Sequence, residues 1–336
     1  MIRLIQLQNG PQRRVAFIEE PRLVFLDTYH SVYDLARAAL HKGTNLADLI
    51  EDSLGDNEIP YDPVYAGRSE WNILPPLDHP AESSRTLVSG TGLTHLGSAR
   101  ERNAMHGKAQ TVAEETLTDS MKMFRWGVEN GKPAEGELGI APEWFYKGTG
   151  AILRAHNQPL DKPPHAEDGG EEAEIAGLYL IDDHGTPIRV GMAQGNEFSD
   201  HIFEKKNYLN LAGSKLRTAS IGPELVVAPK FESIPGTSTI FRGDATLWQK
   251  SIKTGEAEMC HSLRNIEHHH FKFEAHRRPG DVHIHFFGAD ALSFGDKLQL
   301  QDGDIMQVHF EGFGRPLRNP LHASVARHEL ITINSL

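Results

Sequence analysis

Two glutamates separated by one residue, Glu172 and Glu174, are the side chains of this sequence best suited to holding a metal ion. If the segment 171–180 (EEAEIAGLYL) is a strand, its period-two alternation points both carboxylates out of the same face. Two carboxylates on one face repel each other unless a cation lies between them. Oxygen-only ligation suits Mg²⁺ or Mn²⁺ better than Zn²⁺, which prefers histidine or cysteine. Because a Glu-x-Glu pair is also typical of a solvated strand or helix, the neighbouring motifs must decide.

Histidines form two further clusters that could carry chemistry. Adjacent residues in a strand point to opposite faces, so the run 268–270 (HHH) could not reach one ion together, and no suitably spaced Cys or His completes a zinc site. His283 and His285 would share one strand face as core or substrate-facing residues. The sequence therefore favours the acidic pair as the metal site.

The composition favours a small-molecule ligand over nucleic acid or a membrane. The chain has 34 basic and 46 acidic residues, a net charge of −12, without a long basic cluster. No apolar run approaches the roughly 20 residues of a membrane-spanning helix. The single cysteine, Cys260, excludes an internal disulfide framework, and we expect a cytoplasmic protein. Phosphate-binding-loop, dinucleotide and Gly-x-Ser-x-Gly motifs are absent from the sequence, which disfavours nucleotide, nicotinamide and acyl-serine chemistry.

Residues 1–85 predict a small α+β domain. Residues 1–26 alternate polar and apolar side chains and break at Asn9-Gly10, the pattern of a β-hairpin. Residues 31–54 carry Leu and Ala at helical spacing, with a break at 42–45 that could end one helix and cap a second. A proline-rich passage at 73–80 forbids regular structure. We therefore place a domain boundary near residue 85.

Residues 86–336 predict a second domain that is mainly β, so the fold class expected for the chain is mixed α/β. Residues 85–93 resume as a strand, and 98–107 could open a helix with Ser98 as N-cap and Glu101 as its capping-box partner. Short apolar runs between turns then predict strands at 178–181, 188–192, 224–227, 283–287 and 305–310.

The order of several motifs, from about residue 85 to residue 322, resembles the fumarylacetoacetate hydrolase superfamily. In that superfamily a Glu-x-Glu pair and a later acidic residue hold the metal, and a lysine precedes a Gly-Pro. The matching residues are Glu172, Glu174, Glu197 in 195–197 (GNE), Lys215 and Gly222-Pro223, with supporting matches at 142–148 (PEWFYKG), 303–304, 311–314 (EGFG) and 319–320. The resemblance implies a β-sandwich roll as catalytic domain, a Mg²⁺ or Mn²⁺ ion and, by analogy, a homodimer.

One segment, 92–101 (GLTHLGSARE), distinguishes this chain from the hydrolases of the superfamily. Those hydrolases carry a His and a Glu that activate water. Here the histidine position is Ser98, whereas the glutamate position is kept as Glu101. A serine cannot act as a base at neutral pH unless another group takes its proton. The pattern of Thr94, Ser98 and Arg100 is more similar to the 2-keto-3-deoxy sugar acid dehydratases of the superfamily.

This resemblance implies dehydration of a 2-keto-3-deoxy acid such as 2-keto-3-deoxy-arabinonate, which would yield 2-oxoglutarate semialdehyde. A divalent ion chelated by the C1 carboxylate and C2 carbonyl acidifies the C3 protons. Lys215 is the expected base, because burial and a neighbouring dication both lower the pKa of an ammonium. Glu101 is expected to protonate the leaving C4 hydroxyl, with Ser98 or a water as relay. The residues expected to bind the substrate are Thr94, Arg100 and Gly288.

Two other functions remain open at this point. Hydrolysis of a C–C bond in a 2,4-diketo acid or acylpyruvate uses the same chelate, but it requires a water-activating base, for which His95 and His106 are candidates. A non-catalytic sugar-acid-binding protein would keep the metal site and lose the chemistry. Lys205 and Lys206 are the alternative bases to Lys215.

Overall fold

This computed structural model describes residues 1–97 and 117–336. Eighteen strands and seven α-helices are assigned within these residues. The strands are β1 (Arg3–Asn9), β2 (Gln12–Glu19), β3 (Arg22–Leu26), β4 (Leu54–Pro60), β5 (Asn72–Ile73), β6 (Thr86–Gly92), β7 (Glu143–Thr149), β8 (Leu153–Arg154), β9 (Leu160–Lys162), β10 (Ala173–Ile181), β11 (Pro187–Asn196), β12 (Ala219–Ile221), β13 (Leu225–Val226), β14 (Ile234–Arg242), β15 (Ala245–Thr254), β16 (Val282–Phe286), β17 (Ile305–Phe310) and β18 (Leu317–Ala323). The helices are α1 (Val32–Lys42), α2 (Leu46–Glu51), α3 (Tyr61–Tyr65), α4 (Asp119–Asn130), α5 (His201–Lys206), α6 (Leu211–Ser214) and α7 (Leu263–Phe271). Ser98, Arg100, Glu101 and His106 lie outside the described residues.

Thirteen of these strands form one mixed sheet. Its main path runs β4-β3-β2-β1-β13-β11-β10-β16-β6-β7, so the N-terminal strands join the rest of the sheet where β1 pairs with β13. Neighbours on this path are antiparallel except β16 and β6, which are parallel. The other five strands form a second sheet in the order β15-β14-β17-β18-β9. The domain boundary near residue 85 stays a prediction.

Local sequence signals account for the N-terminal elements. Gly10 takes the positive φ of 53° that the turn between β1 and β2 requires. The Ser31 hydroxyl accepts a hydrogen bond from Asp34 N and caps α1, and Gly43, with a φ of 64°, ends that helix in the left-handed conformation. Asn45 caps α2 in the same way as Ser31 caps α1. The predicted hairpin and pair of helices are therefore confirmed.

The central strand β10 is buried along its whole length because both faces of the large sheet are covered. On one face Ala176, Leu178 and Leu180 belong to a core shared with α1 and α2. On the other face Ile175 and Tyr179 pack with residues of the second sheet and of α7. The strands predicted at 178–181, 188–192, 283–287 and 305–310 correspond to β10, β11, β16 and β17 and form this framework.

The histidine run 268–270 lies on helix α7, so the expectation that it lies on a strand is wrong. Ser262 caps this helix by accepting a hydrogen bond from Asn265 N, and Leu263 and Ile266 bury one face of it. His283 and His285 do share β16 and are buried. Among the helices described, none combines the length and apolar character needed to cross a bilayer.

Candidate metal centre

The pairing of β10 with β11 brings Glu172, Glu174 and Glu197 together. Ala173 lies opposite Asn196 and Glu174 opposite Gly195, so the start of β10 faces the end of β11. Beyond the ladder, Glu197 N donates a hydrogen bond to Glu172 O at 3.0 Å. Each glutamate offers one carboxylate oxygen to a cluster in which these atoms lie within 4.8 Å of one another, and all three residues are buried. The predicted ligand set therefore converges on one point.

Hydrogen bonds hold one oxygen of Glu172 and one of Glu174. Glu172 Oε1 accepts from Lys215 Nζ at 2.7 Å and from His201 Nε2 at 3.0 Å. Glu174 Oε2 accepts from Gly288 N at 2.7 Å. Among the described residues, no hydrogen bond reaches the second oxygen of either carboxylate, which leaves one oxygen of each available to a metal ion.

Two buried lysines contact the third glutamate. Lys215 Nζ donates to Glu197 Oε2 at 2.6 Å and so bridges Glu197 and Glu172. Lys147 Nζ donates to Glu197 Oε1 and, at 3.0 Å, to Phe198 O. The Ser199 hydroxyl adds a 2.9 Å hydrogen bond to Glu197 Oε2. Glu197 is thus fixed by cations on both of its oxygens.

The charges around Glu174 favour a further cation at this point. Burial, together with the carboxylates of Glu172 and Glu197, raises the pKa of Glu174 well above its usual range. Burial also opposes ionisation of Glu172, but Lys215 and His201 hold its pKa well below the usual range. A divalent cation would supply the positive charge needed to keep the Glu174 carboxylate ionised beside the two others. The oxygen donors suit Mg²⁺ or Mn²⁺, so the residues present fit such an ion.

The pKa of Lys215 differs from the sequence-based expectation. Burial does lower it, as expected, but the carboxylates of Glu172 and Glu197 outweigh burial and hold the pKa well above the ordinary value. For Lys147 burial prevails, and its pKa falls to about 8. A divalent cation bound to Glu172 and Glu197 would lower the pKa of Lys215, because it would compete with the ammonium for these two carboxylates.

Strand β7 brings Lys147 and Phe145 to the acidic cluster. Its burial alternates so that Glu143, Phe145 and Lys147 point inward. The Lys215 ammonium lies 4.7 Å from the centre of the Phe145 ring. Farther along the same face, Glu143 Oε2 accepts a 2.9 Å hydrogen bond from the Tyr208 hydroxyl. Glu143 therefore adds a buried carboxyl to this face of the strand.

Thr94 and Gly288, both expected to bind substrate, form a corner behind Glu174. The Thr94 hydroxyl donates to Phe287 O at 2.6 Å, and a Cβ at Gly288 would lie only 2.1 Å from Thr94 Oγ1. Because this hydroxyl proton goes to Phe287, Thr94 accepts from His95 Nδ1 at 2.9 Å. The corner aims Gly288 N at Glu174. Substrate binding by Thr94 and Gly288 stays a prediction.

The structure separates Lys215 from the alternative bases. Lys206 is exposed and pairs with Glu167, while Lys205 is exposed and lies 5.8 Å from the Phe294 ring. Lys147 and His201 are neighbours of the acidic cluster that the sequence motifs do not predict. A signal for Lys147 existed in the alternation of 143–147 (EWFYK), which places three inward residues at period two.

No protein-family model and no curated protein matches this chain. Solved structures do. 2-Keto-3-deoxy-D-arabinonate dehydratase complexed with magnesium and 2,5-dioxopentanoate matches with a TM-score of 0.69 and 18% identity, covering 97% of this chain and 100% of that chain. A 2-hydroxyhepta-2,4-diene-1,7-dioate isomerase from Mycobacterium marinum matches with a TM-score of 0.56 and 15% identity, covering 97% of this chain and 100% of that chain.

A 5-carboxymethyl-2-hydroxymuconate delta-isomerase from Mycobacterium smegmatis matches with a TM-score of 0.54 and 14% identity, covering 96% of this chain and 100% of that chain. All three likenesses extend over almost the whole chain, and at these identities they show the fold alone. The resemblance predicted from the sequence is confirmed at this level: the chain has the fold of the fumarylacetoacetate hydrolase superfamily.

Proposed function

We propose that the protein is a divalent-metal-dependent dehydratase of a 2-keto-3-deoxy sugar acid, with a 2-keto-3-deoxypentonate such as 2-keto-3-deoxy-arabinonate as substrate. The observation that carries the proposal is the buried lysine beside the acidic cluster: Lys215 Nζ lies 2.7 Å from Glu172 and 2.6 Å from Glu197. A base at that place would be next to a 2-keto acid bound to a metal ion that the three glutamates hold.

Glu172, Glu174 and Glu197 would hold Mg²⁺ or Mn²⁺, which would polarise the C2 carbonyl of a bound 2-keto acid. Lys215, as the free amine, takes a proton from C3 and leaves an enolate. Protonation of the C4 hydroxyl lets water leave as the enolate collapses, which gives a 3,4-unsaturated 2-keto acid. For a pentonate, a shift of the double bond to C4–C5 gives the enol of the C5 aldehyde, which tautomerises to 2-oxoglutarate semialdehyde. Glu101 is the expected proton donor. The described residues offer Glu143, buried and hydrogen-bonded to Tyr208, as a second candidate for this step.

The geometry of His95 counts against the hydrolytic alternative. This residue is fully buried, and its two ring nitrogens are 2.9 Å from the Thr94 and Thr254 hydroxyls. Burial lowers its pKa to about 3. A histidine engaged in this way supports the Thr94 corner and is not accessible to a substrate water. His106, the other candidate base, lies outside the described residues.

The proposal is tested by product analysis. The protein is incubated with MgCl₂ and, separately, with several 2-keto-3-deoxy acids and 2,4-diketo acids, and the products are identified by mass spectrometry. We expect a product that has lost one water from a 2-keto-3-deoxy acid, and no product with EDTA present. Cleavage of a diketo acid into two acids would instead establish the hydrolase, and tight binding without any product would establish a binding protein. Light scattering of the same sample tests the proposed homodimer.

Glu172→Gln is expected to weaken Mg²⁺ binding and turnover together. The amide keeps the size of the side chain but removes the charge that attracts a cation. Isothermal titration calorimetry measures the affinity, and Glu171→Gln is a matched control. Glu171 is an adjacent buried carboxylate, but it accepts hydrogen bonds from Ser293 N and Oγ at 2.7 Å, away from the acidic cluster. Unchanged Mg²⁺ affinity in Glu172→Gln would remove this residue from the ligand set.

A further inference from the structure

His201 is held in place by its local structure before it makes any contact with the acidic cluster. It is the first residue of α5, and the preceding Asp200 caps that helix by accepting a hydrogen bond from Phe203 N at 3.0 Å. The other oxygen of Asp200 accepts from Glu167 N at 2.9 Å and Arg217 Nη2 at 3.2 Å. The backbone that carries the imidazole is therefore anchored on three sides.

The ring of His201 is also enclosed. Its centre lies 5.2 Å from that of the Phe294 ring. At Gly170, a Cβ would come within 2.3 Å of His201 Nδ1, so only glycine leaves room for the ring in this position. His201 is 6% exposed, which leaves the side chain little freedom to turn. Its Nε2 atom is consequently directed at Glu172 Oε1, 3.0 Å away.

Two donors share Glu172 Oε1, and only His201 has no other part in the proposed reaction. As the expected base, Lys215 must turn its nitrogen lone pair towards C3 of the substrate. As the free amine it keeps only two N–H donors for Glu172 and Glu197 together, and it must redirect them as it takes up the proton. His201 has no such second task. The imidazole N–H can keep Oε1 fixed while the other oxygen of Glu172 faces the metal position.

We propose that His201 is a positioning residue that holds Glu172 in its metal-ligating orientation independently of Lys215. The inference rests on the proposed metal-dependent function. Donors to ligating carboxylates commonly matter about 10- to 100-fold for metal affinity, because they fix the ligand before the ion arrives. Because His201 holds Glu172 in place, Lys215 is not needed for that purpose and can transfer protons.

Three substitutions test this inference through Mn²⁺ affinity, measured by calorimetry and by electron paramagnetic resonance without substrate. His201→Phe fills the same space without a donor, and His201→Asn keeps polarity but is too short to reach Glu172. His201→Gln can place an N–H close to the position of Nε2. We expect about 10- to 100-fold weaker Mn²⁺ binding in the Phe and Asn variants, and recovery of most of the affinity in the Gln variant.

A double-substitution cycle separates positioning from packing. In a Glu172→Gln background, His201→Phe should cause little further loss of Mn²⁺ affinity, because its target carboxylate is gone. Circular dichroism identifies any variant that fails to fold, and the Gln and Asn variants then carry the comparison. Wild-type affinity in both the Phe and Asn variants would overturn the inference and leave the proposed function intact. Absence of Mn²⁺ binding by the wild-type protein would overturn both.

Discussion

Lys215→Ala is expected to lower kcat by about 100- to 10,000-fold, the range for loss of a positioned general base, while Mg²⁺ affinity is not reduced. Lys215 makes two of the shortest contacts in the acidic cluster, to Glu172 and Glu197, but it supplies no ligand atom. Its ammonium occupies the same carboxylates that would bind a metal ion, so removing it cannot cost the ion a partner. Stopped-flow assays give kcat, and calorimetry with MgCl₂ gives the affinity.

The same substitution is expected to destabilise the metal-free protein. Glu172 and Glu197 are buried, and removal of one partner from a buried ion pair costs about 3–5 kcal/mol, because an uncompensated charge remains. Addition of Mg²⁺ should restore much of this loss, since a cation then again faces both carboxylates. Thermal unfolding of the variant with and without MgCl₂ measures the difference. A stable, fully active Lys215→Ala enzyme would remove Lys215 from the mechanism.

Lys147→Ala is the matched control for Lys215→Ala. Lys147 is an equally buried lysine that also contacts Glu197, but its second hydrogen bond goes to the backbone at Phe198 O rather than to Glu172. We expect a comparable loss of stability in the metal-free protein and a smaller loss of kcat, because the proton-transfer group remains. If Lys147→Ala loses turnover and Lys215→Ala does not, the base is Lys147.

The acidic centre could be predicted from the sequence because its geometry depends on local rules. Period-two alternation places Glu172 and Glu174 on one face of a strand. The β10–β11 hairpin then brings Glu197 next to both, since its register pairs Glu174 with Gly195. The N-terminal hairpin and helices follow from turn and cap residues such as Gly10 and Ser31. In each case the deciding contacts lie within a few tens of residues along the chain.

His201 and the histidines of α7 could not be placed from the sequence because their roles depend on tertiary contacts. His201 reaches Glu172 only because Gly170 and Phe294 leave one position open for its ring. The strand expected at 268–270 is a helix, and Ser262, which caps it, is the local signal that indicates α7. The helix directs His270 inward, where its Nε2 atom forms a hydrogen bond with Nδ1 of His283, 13 residues away in the sequence. Sequence spacing carries no information about such a pairing.

This buried histidine group leads to a large expected dependence of stability on pH. His285 lies between the hydroxyls of Ser89 and Thr91, at 2.8 and 2.7 Å, and its ring stacks on His270 at 4.3 Å. His283 Nδ1 lies 3.0 Å from His270 Nε2. Burial, with added repulsion from nearby histidines, lowers the pKa of both His283 and His285 to about 3. Burial alone does the same for His95.

Each of these residues stabilises the fold at neutral pH relative to acid. In the unfolded chain a histidine binds its proton near the ordinary pKa of 6.5, whereas in the folded protein these three bind it only near 3. Between those values the unfolded state holds more protons, so the free energy of unfolding falls by about 1.4 kcal/mol per pH unit for each histidine. Three such groups give about 4 kcal/mol per pH unit between pH 6.5 and pH 3, which is large beside the about 5–15 kcal/mol that stabilises a typical folded domain.

Urea unfolding between pH 7 and pH 5, monitored by circular dichroism, measures this slope. We expect His285→Gln to reduce it by up to about 1.4 kcal/mol per pH unit, because one proton-uptake site of the unfolded chain is removed. Ile284→Val is a matched control on the same strand: it should lower stability by about 0.5–1.5 kcal/mol at every pH, since it removes a buried methylene and no titrating group. Equal slopes in His285→Gln and wild type would show that this buried imidazole does not control the acid lability of the fold.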